Sequence, residues 1–163
     1  MEGTSGLKAW LGLGSNIGDR MTNLRTGCEA LEREGIRIVA RSHVYETEPQ
    51  AGAVGQPDFL NACLEVTTDL DPRGLLAAAK RIEVELGRDP NAPRHSPRPL
   101  DIDVLIVEAR RIDTPDLEVP HPEIEHRRFV LEPLLELDPP ERPRLERALA
   151  VLERQRVKRD GTL

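Results

Sequence analysis

Apolar positions along this chain recur with two periods, and each period predicts an element. Residues 8–14 (KAWLGLG) alternate as a strand does, and the turn SNIGD after them carries helix-start chemistry. From Asp19 as N-cap, Met21, Leu24, Cys28 and Leu31 fall on one helical face until Gly35 supplies a stop. Residues 36–45 are rich in β-branched side chains and predict one second strand, and residues 61–68 (NACLEVTT) alternate again and predict a third. Asp71-Pro72 opens a second helix, with Leu75, Ala79, Ile82 and Leu86 as its apolar stripe and Gly87 as its end. Residues 101–107 (DIDVLIV) predict a fourth strand, whose unbroken apolar run after the carboxylates predicts a central position covered on both faces. Two further helices are predicted over 128–137 and 144–156, then a loose tail over 158–163.

The connections are as informative as the elements. Residues 46–57 contain Pro49, Gly52, Gly55 and Pro57, and residues 87–99 are proline-rich and carry Arg88, Arg94 and Arg98. Both are loops of a length usually reserved for function. The order β-α-β-β-α-β is the split arrangement of ferredoxin-like α+β folds, in which helices pack on a mainly antiparallel sheet. The two later helices would cover that sheet further and make an α/β/α sandwich. No linker interrupts the pattern, so residues 1–163 are expected to form a single domain.

Composition narrows the class. No apolar run approaches a membrane span of about 18 residues, and the N-terminus lacks the basic start and long apolar stretch of a secretory signal, so a soluble cytoplasmic chain is expected. Cys28 and Cys63 both fall within apolar patterns and are expected as buried free thiols. A formal net charge of −6 argues against nucleic-acid binding, which needs a broad basic surface. A few arginines gathered in one cleft can still hold a small polyanion. Aromatic residues are 2% of the chain, so Phe59 and Phe129 stand out where they fall beside polar positions.

The chemistry concentrates at Asp101 and Asp103. Two apart on a strand, they leave the same face, and Leu105 and Val107 continue that face behind them. Such a pair needs counter-charge, and Mg²⁺ accepts one or two carboxylates while taking its other ligands from water and phosphates. The plainer alternative is a polar strand mouth whose acids pair with arginines. Arg88, Arg94 and Arg98 just upstream offer planar donors for phosphate oxygens, the usual companions of a metal in phosphoryl transfer. His121 is held between Pro120 and Pro122, Arg127 and Phe129 follow it, and Phe59 and Asn61 share a strand face as an aromatic plate beside an amide. There is no P-loop, no zinc spacing and no Ser/His/Asp set. Unaided, the residues describe a metal-dependent phosphoryl-transfer site on an α+β domain.

Several stretches in order, LGLGSNIGD, VYETEP, GQPDFLNA, RIEVELGR, PRPLDIDVLI and VPHPEIEHRRFVLEPL, make the chain resemble the 6-hydroxymethyl-7,8-dihydropterin pyrophosphokinases of folate biosynthesis over about residues 11–137. The resemblance implies transfer of pyrophosphate from ATP to the pterin hydroxymethyl group with release of AMP, by a monomer. It implies that Asp101 and Asp103 hold two Mg²⁺ ions and that Arg88 and Arg98 serve the transfer. Arg88, Arg94, Arg98, Val104, His121 and Arg127 match nucleotide contacts, and Thr47, Glu48, Phe59, Asn61, Asp101 and Phe129 match pterin contacts. The two long loops match lids. Phe59, Pro90, His95 and Ser96 replace the residues usual in the family. A metal-dependent phosphoesterase or nucleotidyltransferase, and a non-catalytic ferredoxin-like binding module, are the competing readings.

Overall fold

A computed structural model describes residues 6–48, 57–89, 91–92 and 97–152, and the backbone of 157–162. The predicted β-α-β-β-α-β order is present, and the chain has the ferredoxin-like α+β fold. β1 (Leu7–Ser15) lies between β5 (Asp101–Val107) and β4 (Phe59–Thr68), antiparallel to both, in the sheet order β5-β1-β4-β3-β8. α1 (Arg20–Arg33) and α2 (Pro72–Glu85) cover one face. Both start where the sequence places them: the Asp19 carboxylate accepts the Thr22 N–H, and the Asp71 carboxylate accepts the Gly74 N–H.

That face carries the larger core, where Leu11, Leu13, Leu64 and Val66 of the sheet meet Leu24, Leu31, Leu75 and Ile82 of the helices. The other face is covered by α3 (Arg128–Leu135) and α4 (Arg142–Val151), with Trp10, Cys63, Leu105 and Ile106 packed beneath Leu131, Leu134 and Leu145. The result is the expected α/β/α sandwich. Cys28 and Cys63 are free thiols in these two cores, and burial pushes Cys28 up to about 11. No helix among the described residues is long and apolar enough to cross a membrane.

Four expectations need correction. The single strand over 36–45 is two, β2 (Ile36–Arg41) and β3 (His43–Thr47), both paired with β4. Fully buried Ser42 divides them by using its own N–H and hydroxyl on the Cys63 carbonyl and N–H, in place of a ladder pair. The strand β5 is covered on both faces but stands at the sheet's edge, because burial of two faces does not require two strand neighbours. The last helix ends at Val151. The tail forms β8 (Val157–Thr162) on β3, since an open edge offers backbone partners that a polar sequence can take without an apolar signature. A short hairpin, β6 (Ile112–Thr114) and β7 (Leu117–Val119), also lies outside the sequence reading, its strands being too short to show a period.

One packing detail fixes the segment that leads into β5. Leu100 is fully buried, and a Cβ at Gly27 of α1 would stand 2.8 Å from its Cδ2. Glycine there makes the socket for Leu100. Gly27→Val is therefore expected to cost about 1–3 kcal/mol by overpacking, read as a lower urea midpoint. A midpoint within error of the parent would refute the socket.

Candidate active site

The sheet register assembles the site on the face beneath α3. Asp101 pairs with Gly14, Gly14 with Asn61, and Asn61 with Tyr45, so these residues form one row across four strands. In the next row Asp103 pairs with Gly12 and Gly12 with Cys63. The floor between the carboxylates and the amide is thus glycine. A Cβ at Gly14 would meet Asn61 Oδ1 at 3.0 Å and Phe59 at 3.5 Å, filling the trough. Neighbouring strands stand about 5 Å apart, so a gap of roughly 10 Å separates the backbones of Asp101 and Asn61.

At one end of the trough Asp101 and Asp103 do share a face. The face continues with Leu105 but not with Val107: β5 carries a bulge where Trp10 pairs with Ile106 and Leu11 with Val104, and Val107 turns to the opposite core. Arg98 and Arg88 both donate to the same oxygen, Asp101 Oδ1, at 3.1 and 3.4 Å. Asp103 is held differently. Burial, then the charges of Asp101 and Glu83, push its carboxyl up to about 7, while Arg127 and Arg98 only partly counter them.

Glu83, which the sequence reading does not single out, organises this end. It is buried on α2, where its Oε1 takes Arg88 at 2.7 Å and its Oε2 accepts the Ile102 N–H at 2.7 Å. Its motif RIEVELGR contains the only signal, an acid inside an apolar stripe. Burial raises its pKa, and the Ile102 and Arg88 contacts only partly offset that. His121 donates its N–H to the Leu105 carbonyl at 2.7 Å and accepts the Glu123 N–H on Nδ1 at 3.1 Å. Burial and then Arg127 lower its pKa, so at neutral pH the ring carries its proton on Nε2, as a donor. It also lines a cavity of about 190 Å³ with Arg111, Glu118 and Arg144.

At the other end Asn61 Nδ2 donates to Thr47 Oγ1 at 2.7 Å, with Phe59 beside them. The Arg127 guanidinium stands 5.8 Å from the centre of the Phe129 ring, at the start of α3. Glu136 ties the far end of α3 to β3, accepting from the Tyr45 hydroxyl and from the His43 N–H at 2.9 Å. Burial raises its pKa, but these bonds more than offset it and hold the carboxyl below its ordinary range. Arg20 anchors both ends of the long loop, pairing with Glu46 at 3.0 Å and donating to the Asp58 carbonyl at 2.8 Å.

Of the sequence candidates, then, Arg88, Arg98, Asp101 and Asp103 meet at one end and Thr47, Phe59 and Asn61 at the other, with Arg127 and Phe129 on the covering helix. The Val104 side chain faces the helical core, which leaves only its backbone on the site's side. Glu48 is exposed just past β3, and no described contact joins it to the cluster. Arg94, His95, Ser96 and Pro90, and most of the 46–57 loop, lie outside the described residues. No group of three or more His, Cys, Asp or Glu suited to a metal occurs among the described residues, so any cation here would rest on the two aspartates and its substrate.

A sequence model of the 7,8-dihydro-6-hydroxymethylpterin-pyrophosphokinase (HPPK) family matches residues 10–139. The chain is 45% identical over 133 residues to the 2-amino-4-hydroxy-6-hydroxymethyldihydropteridine pyrophosphokinase of Methylorubrum extorquens, covering 81% of this chain and 83% of that protein. It is 43% identical to the Bacillus subtilis protein of the same name, covering 79% of this chain and 77% of that one. An Arabidopsis thaliana folate synthesis bifunctional protein is 41% identical over 84% of this chain. The chain spans only 28% of that plant protein's length. A crystal structure of an HPPK-DHPS in complex with substrates superposes with a TM-score of 0.70 at 14% identity, over 91% of this chain and 44% of that one, a likeness of fold.

Proposed function

We propose, from the premise that this chain belongs to the 7,8-dihydro-6-hydroxymethylpterin-pyrophosphokinase family, that it moves the terminal pyrophosphoryl group of ATP onto a hydroxymethyl-dihydropterin and releases AMP. The pterin hydroxyl oxygen forms a bond to the β-phosphorus, the bond from that phosphorus to the α-phosphate oxygen breaks, and the hydroxyl proton leaves. No side chain is assigned as its base, since positioning and charge neutralisation can carry phosphoryl transfer. The observation that carries this reading is the row Asp101–Gly14–Asn61 with Asp103 in the next row, which sets two acids and two arginines opposite an amide and an aromatic ring across a side-chain-free floor.

Each end suits one substrate. Asn61, oriented by Thr47, presents its amide to the edge of a nitrogen-rich ring that lies over Gly14 between Phe59 and Phe129. Arg88 and Arg98 already sit together at Asp101, from which their guanidinium groups can turn to phosphate oxygens. Arg127 and the Nε2–H of His121, whose backbone is bonded to β5 at Leu105, add further donors. Ile102 N–H points away from β1 to Glu83, so alternation directs the Val104 backbone to the same open edge, where a nucleoside would lie.

The aspartates also fit a divalent cation: two apart on β5, they converge from one face, where carboxylate oxygens suit a hard metal. We assign Asp101 and Asp103 as the ligands of two Mg²⁺ ions, which when bound would neutralise charge on the triphosphate. We further propose that it acts as a monomer, and that it works in the cytoplasm, where buried free thiols persist.

The test is AMP release from ATP. Release that requires both Mg²⁺ and the hydroxymethyl pterin supports the transferase. Release without pterin makes the site a hydrolase, and the absence of turnover makes it a binding module.

A further inference from the structure

Asn16 closes β1 as a fully buried polar residue in a loop, where an amide is costly to bury unless it is matched. Its partner is the backbone of Arg98, 82 positions away. The Asn16 N–H donates to the Arg98 carbonyl at 3.1 Å, and Asn16 Oδ1 accepts the Arg98 N–H at 2.8 Å. One residue thus takes both backbone groups of Arg98. Among the described residues, little else holds the segment in shape. Arg98 belongs to no helix or strand, and its neighbours Pro97 and Pro99 have no N–H to contribute. Two residues on, the Leu100 side chain is seated over Gly27. The base of the Arg98 side chain is therefore fixed on one side by an amide clamp and on the other by a packed leucine, and its Nη1 reaches Asp101 Oδ1 at 3.1 Å.

We propose that Asn16 is a positioning residue for Arg98: its two hydrogen bonds to the Arg98 backbone aim the guanidinium at the carboxylate end of the trough. The inference rests on the transferase reading for its kinetic consequence, but its structural half stands apart from that reading. Alanine at this position leaves the Arg98 N–H without its acceptor, so that only the backbone bond from residue 16 to the Arg98 carbonyl still holds the stretch between two prolines. Aspartate keeps an acceptor on the same branch.

Two measurements test it. In single-turnover transfer, Asn16→Ala should slow the reaction by roughly 10- to 100-fold, the scale of a misplacement near 1 Å. In an Arg98→Ala background it should add less than about threefold, because residues acting through one another are non-additive. By ¹⁵N relaxation of the arginine Nε–H groups, Asn16→Ala should loosen Arg98 and leave Arg88 as it was. This second readout needs no turnover, so failure of the inference and failure of the transferase reading can be told apart. Rate losses that multiply in the double variant, or an Arg98 signal as ordered as in the parent, overturn the proposal. Should Asn16→Ala not fold, Asn16→Asp carries the relaxation test: retained order of Arg98 supports the clamp, and lost order despite the retained acceptor overturns it.

Discussion

Asp103→Asn is expected to slow pyrophosphoryl transfer by on the order of a thousandfold, the scale on which one preorganised electrostatic contact is lost, while leaving the metal-free fold at least as stable as the parent. The two halves come from the same placement. Asp103 sits over Gly12 on the trough floor, at the cleft's acidic end, so its loss removes a proposed cation ligand without opening a core cavity. It is also a carboxylate that the fold resists charging, with burial first and Asp101 and Glu83 next pushing it up to about 7. A folded pKa above the unfolded one means stability that is full below pH 4 and is lost as pH rises through 7. Asparagine cannot ionise. In metal-free denaturation the variant should therefore match the parent near pH 4 and exceed it at pH 8 by about 2–4 kcal/mol. Transfer within tenfold of the parent would end the assignment of Asp103 as a ligand.

Glu83→Ala should destabilise the protein by about 2–4 kcal/mol, since removing one member of a buried pair strands the other. The Ile102 N–H loses its acceptor at the mouth of β5, and Arg88 loses its closest partner, at 2.7 Å. Glu83→Gln is expected to behave differently. Burial raises the pKa of Glu83, so its charge already carries a penalty, and glutamine retains an oxygen for Ile102. A loss within about 1 kcal/mol is expected for that variant, because the Ile102 bond persists and partly exposed Arg88 keeps Asp101 at 3.4 Å. The check is the urea midpoint of both variants at constant slope. Equal losses would show that the ion pair, and not the Ile102 bond, is what matters.

Local chemistry made much of this legible in the chain. The helices were readable because Asp19 and Asp71 cap backbone groups within a turn, with Pro72 preset at the first helical position, and because Leu24, Leu31, Leu75 and Ile82 mark the buried faces. The acidic pair was readable because period two is intrinsic to a strand. What stayed hidden depends on contacts between distant positions. Glu83 acquires its role only when α2 lies against β5, and Gly14 only when register sets it between Asp101 and Asn61. Ser42 breaks a strand by bonding to Cys63, a partner 21 residues away. The Val107 face was misassigned because a bulge needs a neighbouring strand to exist at all.

That bulge has a mechanical consequence. The extra residue lies downstream of both aspartates, so the stretch from Asp101 to Val104 keeps its own alignment with β1 while Ile106 and Val107 answer to another. Side chains beyond the kink can be resized against the hairpin and the last two helices without dragging the acids along the strand. Evolution can thus remodel that half of β5 as a free variable while the reacting end stays in calibration.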